Sequence, residues 1–255
     1  MRDKDGQYTA MFSVRQFPTR DALGAASCDD VVNTIAELLK VKETISMIFA
    51  AAPSQMDFLS RFRQDSRVDF TRIHAFHMDE YIGLAEGAPQ GFAQFLKDAL
   101  FDHVPFASVN CLNGNAGDPE AECRRYEALL QENPADIVCL GIGENGHIAF
   151  NDPHVADFHD PRLVKIVELD QTCRTQQVHD GCFQEISQVP ARAMTLTIPA
   201  LISAPYHFCM VPAPTKAQAV YRTVTGPIEE ACPASILRTC RQTVLYLDQD
   251  SGALL

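Results

Sequence analysis

Short apolar runs that alternate with helical segments constrain this chain more than any other feature. The run ISMIFAAAP at 45–53 is apolar, partly β-branched and closed by a proline, which is typical of a buried strand. Residues 19–40 precede it with a helical spacing of apolar side chains and with Thr19 as a capping residue. Strand-like and helical segments keep alternating, and this order favours an α/β fold with a mostly parallel sheet.

Further elements follow the same alternation. Residues 91–101 have a helical apolar face, and GDPEAECRRYEALLQ is predicted to form a helix capped by Asp118. The other strand-like runs are VDFTRIHAFHM (68–78), ADIVCLGI (135–142), RLVKIVEL (162–169), AMTLTIP (193–199), HFCMV (207–211) and TVLYLD (243–248). Ligands of such folds bind where parallel strands end. We therefore expect binding residues within 51–55, 79–84, 143–152 and 213–216.

Composition limits the class of partner and the compartment. The 255 residues are expected to form one domain, 1–255. A formal net charge of −12 argues against nucleic acid or an anionic membrane as partner, because both need a basic face. Nine cysteines without a C-x-x-C pair favour reduced thiols in the cytoplasm over a disulfide framework. No apolar run has the length of a signal peptide or a membrane span.

The segment GIGENGHIAFNDP (141–153) satisfies the dinucleotide-binding pattern G-x-G-x-x-G directly after a predicted strand. That pattern needs a long helix next, but Pro153 and Pro161 lie where the helix would have to run. The glycines have a second use, because they let the backbone turn sharply and bring His147 and Asp152 into one cleft. We favour this acid/base interpretation, with a structural histidine as the plainer alternative.

Two long motifs carry a resemblance to a known family. FHMDEYIGL (76–84) and LGIGENGHIAFNDP (140–153) resemble the signature motifs of the glucosamine-6-phosphate deaminase (isomerase) family. CLNGNAGDPEAECRRYE (111–127) resembles the segment between those motifs, and PTKAQAV (214–220) resembles the family's lysine loop. The related 6-phosphogluconolactonases have Asp-Glu-Arg and Gly-His-Thr-Ala-Ser instead, so the deaminase branch fits better.

The resemblance implies a fold, a reaction and the absence of cofactors. The fold would be the three-layer, Rossmann-like α/β architecture of the sugar-phosphate isomerase/CoA-transferase-like superfamily. The reaction would be the isomerisation of glucosamine 6-phosphate to fructose 6-phosphate with release of ammonia. Family members need neither a metal nor an organic cofactor, and a homo-oligomer is left open.

The same resemblance implies roles for single residues. Asp79 would be the base that moves a proton between C2 and C1 of the open-chain sugar. His147 would open the pyranose ring, and Asp152 would orient and polarise that histidine. Asn145 occupies a catalytic position that is aspartate in part of the family and asparagine in other members. Because an amide brings no charge, we expect His147 to depend on Asp152 alone.

The phosphate loop departs from the family pattern. The family has Thr-Gly-Gly-Thr after its first core strand, whereas this chain has AAPSQ at 51–55. Ser54 offers the only side-chain hydroxyl there, and Pro53 lacks a backbone N–H. Ser54 is therefore the predicted substrate-binding residue of this loop.

The remaining phosphate contacts are predicted from the same comparison. Lys216 matches the family lysine that holds the phosphate. The expected arginine has no counterpart within 173–183, where Arg174 lies early and His179 lies near the expected place. We expect Lys216, Ser54 and one of these two side chains to bind the phosphate, and Gly146 to let the backbone approach the substrate.

Rival interpretations stay open at this point. A lactonase of the same superfamily would open a sugar lactone without releasing ammonia. A sugar-phosphate sensor would bind the ligand without turnover, although it would have no need of the acid/base residues. Glu80 could be catalytic or could cap a helix. The His- and Asp-rich run DPHVADFHD (152–160) suggests a metal, but its spacing matches no standard ligand set, so a solvated loop is favoured and no metal is predicted.

Overall fold

Strands and helices alternate through residues 11–255, the part of the chain that this computed structural model describes. The strands are β1 (Met11–Gln16), β2 (Ile45–Phe49), β3 (Ile73–His77), β4 (Asp79–Tyr81), β5 (Ser108–Asn110), β6 (Ile137–Leu140), β7 (Val164–Glu168), β8 (Arg192–Leu196), β9 (Tyr206–Val211) and β10 (Gln242–Leu247). The α-helices are α1 (Arg20–Leu39), α2 (Met56–Phe62), α3 (Phe92–Leu96), α4 (Pro119–Glu132), α5 (Gln171–His179), α6 (Ile198–Ile202) and α7 (Ala217–Thr225).

A seven-stranded sheet runs through the molecule in the order β1-β10-β9-β6-β2-β3-β5. Every neighbouring pair in it is parallel. The interior strand β2 is buried along its whole length, as a strand covered on both faces must be. The predicted α/β fold with a mostly parallel sheet is thus confirmed, and the carboxyl ends of its strands meet at one edge.

Apolar clusters cover both faces of this sheet and make the architecture three-layered. On β2, Phe49 packs into one cluster and Ile48 into the other, because successive strand residues point to opposite faces. The first cluster takes in the apolar sides of α1 and α2, and the second takes in those of α4, α6 and α7. The two layers of helices leave the carboxyl edge of the sheet open between them.

Two helix starts follow the capping residues that the sequence predicts. The Thr19 Oγ1 accepts a hydrogen bond from the Ala22 N–H at 3.1 Å, and α1 begins at the next residue. Asp118 Oδ1 accepts from Glu120 N–H at 3.0 Å at the start of α4. Both caps satisfy N–H groups that a helix cannot pair internally.

A second, antiparallel sheet of order β4-β8-β7 was not foreseen. The runs at 162–169 and 193–199 form strands as predicted, but these strands pair with each other and not with the main sheet. Asp79 was expected just past a strand end, whereas it opens the short strand β4 and pairs with Thr195. This small sheet therefore holds the backbone of Asp79 on the rim of the main one.

The glycine-rich segment is followed by no helix. Residues 141–163 contain turns and one isolated bridge, and the next regular element is β7. A dinucleotide site would need a helix there, so the structure excludes that interpretation. None of the helices within residues 11–255 is long and apolar enough to span a membrane.

Candidate active site

A cavity of about 430 Å³ lies at the carboxyl edge of the main sheet. It is lined by the segments that follow β2, β3, β6 and β9, together with one side of α5 and the start of α1. The topology places these segments side by side, although they are far apart in sequence. Asp79, His147, Ser54 and Lys216, which the sequence singled out, all line this cavity.

Asp79 presents a carboxyl group that is poised to take up a proton. Its side chain is buried and makes no hydrogen bond within residues 11–255. Burial raises the pKa of Asp79 well above its usual value, and the neighbouring Glu80 raises it further. A carboxylate with a raised pKa is a stronger base than an ordinary aspartate, which suits the abstraction of a weakly acidic proton.

Glu80 has a structural task. Its Oε1 accepts hydrogen bonds from the N–H groups of Tyr81 and Phe92 at 2.9 and 3.1 Å, and its Oε2 accepts from Ala93 at 2.8 Å. These bonds satisfy the first N–H groups of α3, so the carboxylate acts as the cap of that helix. Of the two roles left open for Glu80, the contacts support the cap.

The glycine-rich turn lets the ring of His147 lie against the backbone. A Cβ added at Gly143 would lie 2.1–2.4 Å from three atoms of the His147 ring. Gly146 has a φ of +90°, and the turn closes with hydrogen bonds from Gly143 N–H to His147 C=O and from Gly146 N–H to Gly143 C=O. The glycines therefore shape the site of the histidine, as the acid/base interpretation requires.

His147 is held by two acceptors at one nitrogen. Its Nδ1 lies 2.8 Å from Asn145 Oδ1 and 3.0 Å from Asp152 Oδ1. Because both partners accept, Nδ1 carries the proton, and Nε2 is the nitrogen that can exchange one with a ligand. The expectation that His147 depends on Asp152 alone is therefore wrong, because the Asn145 amide oxygen shares the same N–H.

Asp152 is the buried centre of this network. It is 0% exposed, and its Oδ1 also accepts from Asn145 Nδ2 at 2.9 Å. Burial by itself would raise its pKa, but the hydrogen bonds from His147 and Asn145 outweigh burial and lower the pKa below the usual value. Asp152 thus stays ionised and stabilises a positive charge on His147 when the ring takes up a proton.

Cys173 completes the surroundings of Asp152. Its Sγ lies within 4.8 Å of the ligand atoms of His147 and Asp152. Its thiol donates toward the carboxylate, which contributes to the lowered pKa of Asp152, while burial and this carboxylate raise the pKa of Cys173 itself. The thiol is therefore a neutral donor behind the histidine rather than a nucleophile.

Lys216, which follows β9, supplies a buried cation to the cavity. Its surroundings and the loop at 51–55 are called the anion end below, and the surroundings of Asp79 and His147 are called the proton-transfer end. It is only 6% exposed, and its ammonium makes no hydrogen bond or ion pair in the described part of the chain. Burial lowers its pKa, although Asp180 and Glu144 nearby partly oppose this. A buried ammonium without a partner is costly, and an anionic ligand would provide one.

Two predicted phosphate contacts lie elsewhere. Arg174 does not line the cavity, because its Nη2 donates to the carbonyls of Ile186 and Val189, both at 2.8 Å. His179 is turned toward Glu144, with 3.7 Å between His179 Nδ1 and Glu144 Oε2. Their placement corrects the expectation that one of them replaces the family arginine.

Gly146 also lies outside the cavity lining. A Cβ there would lie 2.9 Å from Cys232 Sγ, and the Gly146 carbonyl accepts from the Ala234 N–H. Its place is therefore in the turn beneath His147, where it contacts a neighbouring loop. A direct contact with substrate, as predicted, is not what its surroundings favour.

No pattern in the sequence predicts the wall that α5 adds to the cavity. Gln176, Gln177 and Asp180 all line it, and this polar segment had not been recognised as a helix. Gln176 links α5 to the glycine-rich segment, since its Oε1 accepts from Glu144 N–H at 2.9 Å. Its Nε2 donates to Asp180 Oδ2 at 3.2 Å. The low apolar content of the helix hides it from a periodicity argument.

Donor atoms from two parts of the chain meet near the His- and Asp-rich run. Ligand atoms of Asp152, His154 and Asp170 lie within 4.8 Å of one another. Asp170 comes from the start of α5, so no spacing within 152–160 could reveal this group. Asp170 Oδ1 already accepts from Cys173 N–H at 2.6 Å as a helix cap.

A carboxyl base, a polarised imidazole and an unpaired cation around one cavity suit one kind of chemistry. They define an α/β enzyme that moves protons along the carbon chain of an anionic substrate. Such a site needs no nucleophile, because each step is a proton transfer to or from a carboxyl group or an imidazole.

Comparisons with known proteins give the family. The model of the family described as "Glucosamine-6-phosphate isomerases/6-phosphogluconolactonase" matches residues 18–246. A glucosamine-6-phosphate deaminase of Bacillus thuringiensis (strain Al Hakam) is 34% identical over 220 residues, 86% of this chain and 82% of that protein. This chain belongs to the glucosamine-6-phosphate isomerase/6-phosphogluconolactonase family.

Solved structures agree with that assignment. A monomeric glucosamine-6-phosphate deaminase has a TM-score of 0.87 at 29% identity, over 95% of this chain and all of that chain. The 6-phosphogluconolactonase of Thermotoga maritima has a TM-score of 0.76 at 17% identity, over 93% and 99% of the two chains. The second likeness shows the shared fold alone, which is the predicted superfamily architecture.

Proposed function

We propose that this protein is a glucosamine-6-phosphate deaminase. It converts glucosamine 6-phosphate and water into fructose 6-phosphate and ammonia. The observation that carries the proposal is that Asp79, His147 and Lys216, whose ammonium is unpaired, line one cavity. The deaminase name of a relative at 34% identity supports it further.

His147 would act first, on the closed sugar ring. Its Nε2 takes the proton of the C1 hydroxyl and returns one to the ring oxygen, which opens the pyranose to the aldehyde. The positive charge that the ring carries in between is stabilised by Asp152, which is ionised and bonded to Nδ1. Asn145 shares the same N–H and fixes the plane of the ring.

Asp79 would then carry out the isomerisation. Its carboxylate removes the proton from C2, and the electron pair forms a C1–C2 double bond. The aldehyde oxygen takes up the proton that the substrate's ammonium gives up, so that a neutral enolamine results. The same carboxyl group returns a proton to C1, which leaves an imine at C2. Water adds to this imine and ammonia leaves, so that the ketose phosphate remains. The ammonium of the bound substrate would favour the ionised form of Asp79 despite its burial.

Lys216 would hold the phosphate. The dianion gives the buried ammonium the partner that it lacks in the described chain, and Ser54 can add a hydroxyl from the opposite loop. Because the two ends of the cavity are lined by different elements, binding and proton transfer can be changed separately.

Ammonia release from a panel of amino-sugar 6-phosphates, measured beside lactone opening, tests the proposal. We expect ammonia from glucosamine 6-phosphate, and release at least about 100-fold slower from the Asp79→Asn variant. Lactone opening without ammonia would instead identify a lactonase. Ligand-induced thermal stabilisation without either product would identify a sensor.

We further propose that the protein works in the cytoplasm. All nine cysteines are free, and seven of them are buried in the fold. Such thiols suit a reducing compartment. Recovery of the protein in the cytoplasmic fraction of its own cells, with its thiols reduced, would support this, and export into an oxidising compartment would contradict it.

A further inference from the structure

The loop that follows β2 brings no cation to a phosphate dianion and has lost some of its backbone donors. Pro53 has no backbone N–H, and the Gln55 N–H is already bonded to Ala52 C=O at 2.9 Å. The Ser54 hydroxyl accepts from Gln55 Nε2 at 3.2 Å and keeps its own proton for a ligand. With Lys216 as the only cation assigned so far, the ligand's second negative charge has no counterpart.

Arg20 lies beside this loop and lines the same cavity. It is the first residue of α1, directly after the Thr19 cap, so the start of the helix fixes its backbone. Its Nη2 donates to the Pro53 carbonyl at 3.1 Å, which joins the guanidinium to the loop. Its Nε and Nη2 also donate to Asp57 Oδ2, at 3.0 and 2.8 Å.

These contacts leave one side of the guanidinium free. Nε and Nη2 are occupied by Asp57 and the Pro53 carbonyl, whereas Nη1 has no acceptor within residues 11–255. A guanidinium carries five N–H donors in a planar fork, so two of them remain for a ligand. The anchoring also reduces the conformational freedom that binding a phosphate would otherwise have to remove.

We propose that Arg20 is a specificity-determining residue that binds the substrate's phosphate from the loop side, opposite Lys216. This inference rests on the proposed function and names a contact that neither the motifs nor the family comparison assigns. Asp57 is then a positioning residue, because its carboxylate binds Arg20 and does not line the cavity. The predicted arginine contact thus comes from α1 and not from α5, where Arg174 is engaged with backbone carbonyls.

The kinetic test compares wild type with Arg20→Gln in ammonia release from glucosamine 6-phosphate. Hydrogen bonds to charged groups are worth enough that KM should rise about 10- to 100-fold. The kcat should stay within about threefold, because the proton-transfer groups are untouched. Asp57→Asn leaves the positive charge of Arg20 in place but removes the carboxylate that anchors it. The KM of this variant should therefore lie between those of wild type and Arg20→Gln.

Arg61→Gln is the matched control. Arg61 lies on the adjacent helix α2, is ion-paired with Asp21 and is 41% exposed, against 44% for Arg20, but it does not line the cavity. Its KM should equal that of wild type, and its Tm should match that of Arg20→Gln. Should Arg20→Gln fail to fold, Arg20→Lys keeps the charge without the fork and should still raise KM.

Inorganic phosphate separates failure of this inference from failure of the proposed function. Calorimetric titration with phosphate needs no turnover, and its Kd should rise by the same factor in Arg20→Gln. If wild type releases no ammonia, the proposed function fails, while the titration still tests Arg20. A KM and a phosphate Kd within about twofold of wild type in both Arg20 variants would overturn the assignment.

Discussion

The two ends of the cavity are built differently. At the proton-transfer end, His147 Nδ1, Asn145 and Asp152 Oδ1 are hydrogen-bonded to one another, and the Cys173 thiol lies beside the carboxylate. At the anion end, Lys216 has no partner and the loop at 51–55 lacks the usual glycines and threonines. The hydrogen bonds of the proton-transfer end are formed before the substrate binds. The positive charge of the anion end is compensated only when an anion binds.

This difference suggests that the chemistry and the binding are separable in this protein. A preorganised acid/base network lowers the barrier only if it is already in place at the moment of reaction. A buried, unpaired cation instead destabilises the free protein. An anionic ligand removes this destabilisation when it binds, which favours substrates with a phosphate. Each prediction below perturbs one of the two ends and leaves the other intact.

The largest effect is expected from Asp79→Asn. Loss of the base should lower kcat by about 10²- to 10⁴-fold, the usual share of general acid/base catalysis. Because the pKa of Asp79 is raised in the fold, ionisation costs stability as pH rises through that pKa, so the variant should unfold at a higher Tm than wild type at neutral pH. Kinetics and thermal unfolding check both effects.

The control for that variant is Asp102→Asn, at an exposed site outside the cavity. It should change neither kcat nor Tm. An Asp79→Asn variant with ammonia release close to wild type would remove the base from the account. In wild type, kcat/KM should fall on the acid side at a pH above the usual pKa of aspartate.

Gly143→Ala should impair the proton-transfer end by displacing the ring of His147. The added Cβ would fall within 2.4 Å of ring atoms of His147 and push the imidazole from its place. A displacement of about 1 Å can cost about 10²-fold in kcat. Gly117→Ala, whose Cβ would meet nothing within 4 Å, is the matched control and should leave kcat unchanged. Equal rates for the two variants would contradict the geometry.

Lys216→Met should affect the other end. We expect KM for the sugar phosphate to rise about 10- to 100-fold while kcat changes little. The free protein should gain about 1 kcal/mol of stability, because an unpaired buried charge is removed. Lys40→Met, on the surface at the end of α1, should do neither. A large fall in kcat at unchanged KM would show that the two ends are not separable.

The stability gain of Lys216→Met should depend on pH in a defined direction. Burial lowers the pKa of Lys216 below its usual 10.5, so the unfolded chain binds more protons between the two values. Wild type therefore gains stability as pH rises through this window. The difference between variant and wild type should shrink toward pH 10.5, and a constant difference would mean that Lys216 is paired in solution.

The smallest effect is expected from Asn145→Asp. It places a second carboxylate at His147 Nδ1, which favours the protonated ring. Because His147 must be unprotonated to take the C1 hydroxyl proton, the acid limb of the kcat/KM profile should move to higher pH by about one unit. Asn115→Asp, at an exposed site away from the cavity, should leave the profile where it is. An unmoved limb in the first variant would mean that His147 does not set it.

Regular elements and the proton-transfer residues could be predicted from the sequence because local signals encode them. Thr19 and Asp118 cap helices by accepting hydrogen bonds from residues two or three positions further along the chain. His147 lies in a turn that the glycines around it predict. The anion end could not be predicted in the same way. Arg20 and Lys216 come from elements nearly two hundred residues apart, and only the sheet order brings them to one cavity.

Arg174 illustrates the same limit in reverse. Its position in the chain suggested a phosphate contact, yet two backbone carbonyls of the segment before β8 take up its guanidinium. Which way a long side chain points depends on the acceptors that the fold places around it. The sequence alone does not show where those acceptors lie in space, so it does not determine which way the Arg174 side chain points.

The fate of deuterium placed at C2 of glucosamine 6-phosphate tests the central claim most directly. The account predicts that the label leaves C2 as ammonia and fructose 6-phosphate form, and that it appears at C1 or in water, because Asp79 breaks that C–H bond. Proton and deuterium NMR of the products follow it. Ammonia release that leaves the deuterium on C2, in a product other than the ketose phosphate, would contradict the account.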